Sequence, residues 1–173
     1  MLKKIILKLV HILLPTRRFL IKYLKNISSQ FNNSEIIEIG SGDITKNQSA
    51  EKYFQNVKLF KKTDINKAYG HKYIDITEEI TFSDKYDLVL CTNVLEHVFE
   101  IQQAIKNLKK ITRKGGNLII SVPFIYPLHD EPSDYWRLTE HSLRQLFDDF
   151  EIVDFKINGL RQFPIQYILL LRV

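Results

Sequence analysis

Residues 38–42 read Glu-Ile-Gly-Ser-Gly, one acid and two glycines at a spacing suited to holding a ligand against bare backbone. Gly40 and Gly42 let the chain turn sharply and bring N–H groups close to a bound molecule. A pyrophosphate-binding loop adds a third glycine, G-x-G-x-x-G, packed against the helix that faces the phosphates. Here that position is Thr45. The pattern is instead E-x-G-x-G, which disfavours a nicotinamide dinucleotide; the plain alternative is a strand-to-helix turn with no ligand. A second reactive group lies far downstream. His129, Asp130, Asp134, Tyr135, Trp136 and Arg137 crowd together among Pro123, Pro127 and Pro132. Polar tips on a stiff loop are the kind of connector that carries function. The alternative there is a clamp, with Arg137 paired to Asp134 and Trp136 buried.

The elements that must position these groups follow from apolar patterning. Ile36, Ile37 and Ile39 read as a buried strand ending at the glycines. A short helix is expected over 48–55. A second strand is expected over 57–65, a third over 72–76 and a fourth over 86–92. Only residues 66–70 separate the second strand from the third, whereas a helical crossover takes about a dozen residues. The helices after strands two and three must therefore be vestigial. Ile101, Ala104, Ile105, Leu108 and Ile111 share a helix face, with Gly115-Gly116 expected to stop the helix. A fifth strand spans 117–122. Thr139 is placed to cap a helix that turns Leu143, Leu146, Phe147 and Phe150 inward. A sixth strand covers 151–157, and 166–173 reads as a seventh strand rather than a terminal helix. Alternation of this kind predicts one α/β, Rossmann-like domain over 31–173, its mostly parallel sheet covered by helices on both faces.

The 173 residues carry a net charge of +5, and its distribution matters more than its size. Residues 1–30 hold seven basic side chains and no acid, so the rest of the chain is slightly acidic and no nucleic-acid groove is implied. This basic leader reads as two amphipathic helices hinged at Pro15. Ile6, Leu9, Val10 and Leu13 share one face of the first; Leu20, Leu24 and Ile27 share one face of the second. The leader lacks a run of about 20 apolar residues for a membrane span. It suits either a peripheral helix on the inner face of an anionic membrane or a lid packed on the domain. The single cysteine, Cys91, excludes an internal disulfide and sits in an apolar run, which fits a core thiol and the reducing cytoplasm.

In a parallel sheet, ligands bind beyond the carboxyl ends of the strands. Gly40, Gly42 and Asp43 follow the first strand there, Asp64 the second, Asp75 the third, and Asn93, Glu96 and His97 the fourth. A carboxylate such as Asp64 can accept from both hydroxyls of a ribose, and Asp75 from an adenine amino group. Each alone is also an ordinary turn residue. The run from Asp87 through Asn93 and Glu96-His97 to Val98, followed by the basic helix and the Gly115–Pro123 strand, resembles class I S-adenosylmethionine-dependent methyltransferases of the type 11/12 group, over about residues 34–157. The resemblance implies S-adenosyl-L-methionine as cofactor. It places Glu38, Gly40 and Gly42 at the methionine end, Asp64 at the ribose, Asp75 with Ile76 at the adenine, and Asn93 near the sulfonium. Tyr126 to Thr139 resembles the Y-P-x-H-x-x-P-x-D-Y-W-R-x-T segment of a subgroup associated with bacterial surface polysaccharides. That implies a small-molecule or glycan acceptor, with Asp134, Tyr135 and Arg137 as candidate binding residues.

A sulfonium methyl is already activated, so the protein must align the acceptor and remove a proton if the acceptor is a hydroxyl. His129 is the first candidate base and His97 the second, although His97 also suits a helix start. No metal cluster is expected. A methyltransferase-like protein without catalysis is the alternative of a different class. A membrane-surface leader predicts sedimentation with anionic vesicles, none with neutral ones, and release by high salt. A lid predicts instead that removing residues 1–27 weakens cofactor binding while vesicles make no difference.

Overall fold

The computed structural model describes residues 14–173; the first leader helix expected above lies outside them. Seven strands form one sheet in the order β3-β2-β1-β4-β5-β7-β6. Strands β1 (Glu35–Ile39), β2 (Leu59–Asp64), β3 (Lys72–Tyr73), β4 (Tyr86–Thr92) and β5 (Thr112–Pro123) run parallel. Strand β7 (Phe163–Arg172) enters antiparallel between β5 and β6 (Glu151–Leu160). Ile36 pairs with Phe60 on one side and Leu88 on the other, so β1 lies at the middle of the parallel half.

Alternate residues of the central strands feed two cores. Ile37, Ile39, Val89, Cys91, Leu118 and Ile120 pack with helix α2 (Ile101–Ile111) and with Leu143 of helix α3 (Glu140–Leu146). Ile36, Leu88, Leu90, Ile119 and Ile168 face the other way. That second face is covered by helix α1 (Thr16–Ile27), which sets Leu20, Tyr23, Leu24 and Ile27 against them. The expected helix at 48–55 shrinks to a 3-10 turn, Ala50–Tyr53, and the β2–β3 connection to another, Lys67–Tyr69. The α1 segment therefore belongs to the domain, filling a face that short crossovers leave open. Its charged row, Arg17, Arg18, Lys22 and Lys25, is exposed.

Some expectations need correction. The third strand is two residues long, because Ile74 and Ile76 leave the ladder and bury their side chains in the core. Gly115-Gly116 does not stop α2. The helix ends at Ile111, where the Thr112 hydroxyl donates to the Leu108 carbonyl at 2.7 Å. The two glycines form an irregularity in β5 that the chain end closes, Gly115 N–H donating to Val173 and Val173 N–H to Gly116. Gly159 and Pro164 do not lie in a loop but face each other within the β6–β7 ladder. The strand expected over 166–173 is present and longer. Thr139 caps α3 as expected, in a capping box with Ser142.

Because Leu24 is buried between α1 and the sheet, Leu24→Ala should destabilise the whole domain by about 2–5 kcal/mol. Urea unfolding of the full chain measures this. A change under about 0.5 kcal/mol, usual for a surface site, would show that α1 is not part of the cooperative unit.

Candidate active site

The carboxyl ends of β1 to β5 open into one cleft of about 970 Å³, lined on its far side by Thr16, Arg17, Leu20, Ile21 and Leu24 of α1. The glycine loop forms its floor. Gly40 and Gly42 both have φ of +73°, a conformation that disfavours a side chain. A Cβ on Gly40 would also come within 2.5 Å of Val94 Cγ2, and one on Gly42 within 2.4 Å of Gln48 Oε1. The loop is fastened to β2, with Ser41 N–H donating to the Thr63 carbonyl at 2.9 Å and Gly42 N–H to Asp64 Oδ2 at 2.9 Å. Oδ1 of Asp64 accepts from Asn66 N–H, so the carboxylate is oriented at the cleft edge with one further lone pair on each oxygen.

Glu38 lines the cleft but is nearly buried, and its oxygens accept from Ser49 Oγ at 2.6 Å and Ala50 N–H at 2.8 Å. Burial raises its pKa, against the pull of these donors. It acts first as a brace between β1 and the 49–50 turn. Asp75 uses Oδ1 in a turn with Thr77 N–H and hydroxyl; Ile76 beside it is buried, and both line the cleft. Asn93 sits at φ +53°, its Oδ1 accepting from Ser121 Oγ and Gln166 Nε2 at 3.0 and 3.1 Å. The side chain is thereby fixed at the mouth of β4.

The loop after β5 folds over the β4 end. Tyr135 and Trp136 N–H groups donate to the Glu96 carbonyl, and Trp136 Nε1 donates to the Val98 carbonyl at 2.9 Å. Asp134 and Arg137 form the clamp: the guanidinium donates to both carboxylate oxygens at 2.6 and 2.8 Å and reaches the Tyr126 and Pro127 carbonyls. Arg137 holds Asp134 well below the usual carboxylate range. Neither side chain is among those lining the cleft, whereas Tyr135, His97 and His129 are. His97 is part of a 3-10 turn, Leu95–His97, not a helix cap.

Glu96 had no assigned role in the sequence, although it stands beside His97 among the polar residues at the β4 end. Its side chain is 0% exposed and neither oxygen has a hydrogen-bond partner. It lies 3.9 Å from His97 Nε2 and 4.0 Å from His129 Nε2, and burial pushes its pKa up to about 8. The available signal was an acid set between Val94-Leu95 and Val98; its burial depends on the distant 123–138 loop.

A parallel sheet closed by an antiparallel β7, with a glycine loop after β1 and acids after β2 and β3, defines the class I methyltransferase fold. The sequence matches a family model described as a methyltransferase domain over residues 14–154, and the chain belongs to that family. The fold is that of enzymes that use S-adenosylmethionine. Among solved structures, N-methyltransferase NodS from Bradyrhizobium japonicum WM9, in complex with S-adenosyl-L-homocysteine, aligns with a TM-score of 0.68 at 18% identity, over 91% of this chain and 87% of that one. Magnesium protoporphyrin IX methyltransferase (ChlM) from Synechocystis PCC 6803 aligns with a TM-score of 0.63 at 17% identity, over 91% and 84%. A curated relative, ubiquinone biosynthesis O-methyltransferase of Rickettsia akari (strain Hartford), is 48% identical over 50 residues. That stretch is 28% of this chain and spans about a fifth of the relative's length, 20%.

The close approach of Val94 adds a packing constraint at Gly40 to the turn and ligand approach expected of it. Gly40→Ala should destabilise the apo protein by roughly 1–2 kcal/mol from the left-handed backbone alone, with the clash at Val94 in addition. Val94→Ala in the same chain should return part of that loss. Calorimetric melting of the single and double variants checks it; identical melting temperatures for Gly40→Ala and wild type would refute the packing account.

Proposed function

We propose that this chain transfers a methyl group from S-adenosylmethionine to a hydroxyl of a small-molecule or glycan acceptor. The observation that carries the reading is the convergence, around one cleft, of Gly40, Gly42, Asp64, Asp75, Ile76 and Asn93 on the cofactor side and His97, His129 and Tyr135 on the other. The cleft volume lies in the range of small-ligand sites.

On this reading the backbone at Gly40 and Gly42, braced by Glu38, receives the methionine end. Asp64 accepts from the ribose hydroxyls with its remaining lone pairs. Asp75 accepts from the adenine amino group, Ile76 packs against the base, and Asn93 faces the sulfonium. The bound cofactor supplies an electrophilic methyl whose S–C bond breaks as the O–C bond forms, its electron pair passing to sulfur. The acceptor's proton goes to His129, with His97 as the second imidazole at the same point. Tyr135 contacts the acceptor, and Asp134 with Arg137 holds the loop that presents it.

Rings of Tyr126 and Tyr135 beside polar tips of His129 and Asp130 suit a sugar, which offers both C–H faces and hydroxyls. This supports a sugar hydroxyl of a surface polysaccharide precursor as the acceptor class. No helix among the described residues is long and apolar enough to cross a membrane. The exposed basic row of α1 supports peripheral contact with the inner face of the membrane through residues 1–27, its apolar face remaining on the domain.

Calorimetric titration with S-adenosylhomocysteine should show one saturable site, and NAD none. Asp64→Ala should lose charge-assisted hydrogen bonds worth about 1.5–3 kcal/mol, roughly ten- to a hundredfold in affinity. Wild-type affinity in a folded Asp64→Ala variant would remove Asp64 from the cofactor site, and absence of any S-adenosylhomocysteine binding would sink the reading as a whole.

A further inference from the structure

Glu96, His97 and His129 reach one point from two separate loops. Their ligand-type atoms all lie within 4.8 Å of one another, at the acceptor end of the cleft. Hydrogen bonding fixes what each presents. His97 Nδ1 is 2.8 Å from the Ser133 carbonyl, an acceptor only, so this nitrogen carries the proton and Nε2 carries the lone pair. His129 Nδ1 lies 3.2 Å from the Pro127 carbonyl and 3.3 Å from Asp134 Oδ2, again both acceptors, so its Nε2 lone pair is likewise the inward one. Both lone pairs face Glu96 Oε1, on a fully buried carboxylate without a hydrogen-bond partner. Three groups able to offer an electron pair inward thus meet at one point.

We propose that Glu96, His97 and His129 bind a divalent transition-metal ion, zinc by preference, with an open side toward the cleft. The separations of 3.9 and 4.0 Å are too long for direct hydrogen bonds. Tetrahedral zinc with bonds of roughly 2.0–2.2 Å sets its ligand atoms roughly 3.3–3.6 Å apart, so these three atoms, all within 4.8 Å of one another, have to close in by roughly 0.5–1.5 Å to share one ion. Two imidazoles and one carboxylate are the ligand set of catalytic zinc and related ions, and imidazole disfavours magnesium and calcium. The supporting shell is also in place. Each ligating histidine donates its outer N–H to a carbonyl or carboxylate, and Asp134 is itself fixed by Arg137. A cation there compensates an ionised Glu96 and, on the methyl-transfer reading, its open side would hold the acceptor oxygen and ease loss of its proton to solvent; with the ion bound this replaces proton transfer to His129, whose Nε2 lone pair is then occupied. Cation binding itself does not depend on that reading.

The test uses the full chain, treated with chelator and dialysed, then titrated calorimetrically with zinc chloride and separately with magnesium chloride. Cobalt chloride provides an absorption readout of the ligand set. One equivalent of zinc should bind and raise the melting temperature, cobalt should give a d–d spectrum of low coordination number, and magnesium should not bind at matched concentration. His129→Ala and the near-isosteric Glu96→Gln should each weaken zinc by at least about tenfold, while His141→Ala, on the exposed surface of α3, should leave it unchanged. Zinc binding that survives both His129→Ala and Glu96→Gln, magnesium binding equal to zinc, or no saturable binding at all would overturn the site. S-adenosylhomocysteine affinity measured on the metal-free protein reports the cofactor cleft separately, so loss of the metal proposal and loss of the methyltransferase reading are distinguishable.

Discussion

Strand β1 has no solvent face, and most of the molecule follows from that constraint. Its residues pair in parallel with β2 and β4, and Ile36 and Ile37 are buried on opposite sides. Parallel pairing sends the ends of all three strands to the same edge. There Glu38 must find donors for a buried carboxylate, and it finds them in Ser49 and Ala50. The chain can leave β1 only by turning at once, and Gly40 and Gly42 at positive φ make the turn. Ser41 and Gly42 then donate to Thr63 and Asp64, so the loop and the acid of the next strand hold each other in place. The ligand-facing groups are thus set by the backbone bonding of the sheet itself.

Covering both faces of such a sheet normally falls to helices in the crossovers. Here the connections after β1 and β2 contain only short 3-10 turns. The exposed underside of Ile36, Leu88, Leu90 and Ile119 would be costly in water, and α1 buries it. The same helix extends over the cofactor end of the cleft through Arg17, Leu20 and Ile21. Its apolar face is therefore committed to the domain, and only its basic row remains for another surface.

At the acceptor end the decisive interaction is the Asp134–Arg137 pair. It ties the 123–138 loop into a closed shape, accepts the backbone N–H of His129, and so aims that ring at Glu96. Trp136 and Tyr135 fasten the same loop to the β4 turn. A loop rich in prolines and paired charges behaves as a fixed wall, which is what positioning two imidazoles about one buried carboxylate requires.

The parallel core was legible in the chain, because runs such as Ile36–Ile39 and Leu88–Cys91 can be satisfied only by burial on both faces. The sequence also showed where a ligand edge must lie, since Asp64, Asp75 and Asn93 fall just past those runs, and it foresaw α3 through its Thr139 cap. The role of α1 was half legible: its apolar face was plain, but its partner was not, because nothing local records which sheet face lacks a cover. The end of α2 was misread at Gly115-Gly116 because a glycine pair signals a stop, while the irregularity it serves in β5 depends on the distant Val173. Between the two readings of Asp134 and Arg137 the fold selects the clamp, with neither side chain in the cleft, and it buries Glu96 between two imidazoles. Glu96 meets His129 more than thirty positions away, and chain periodicity carries no information about such a pair; Asp134 and Arg137 are neighbours at i,i+3, but local spacing does not say whether they turn to each other or to the cleft.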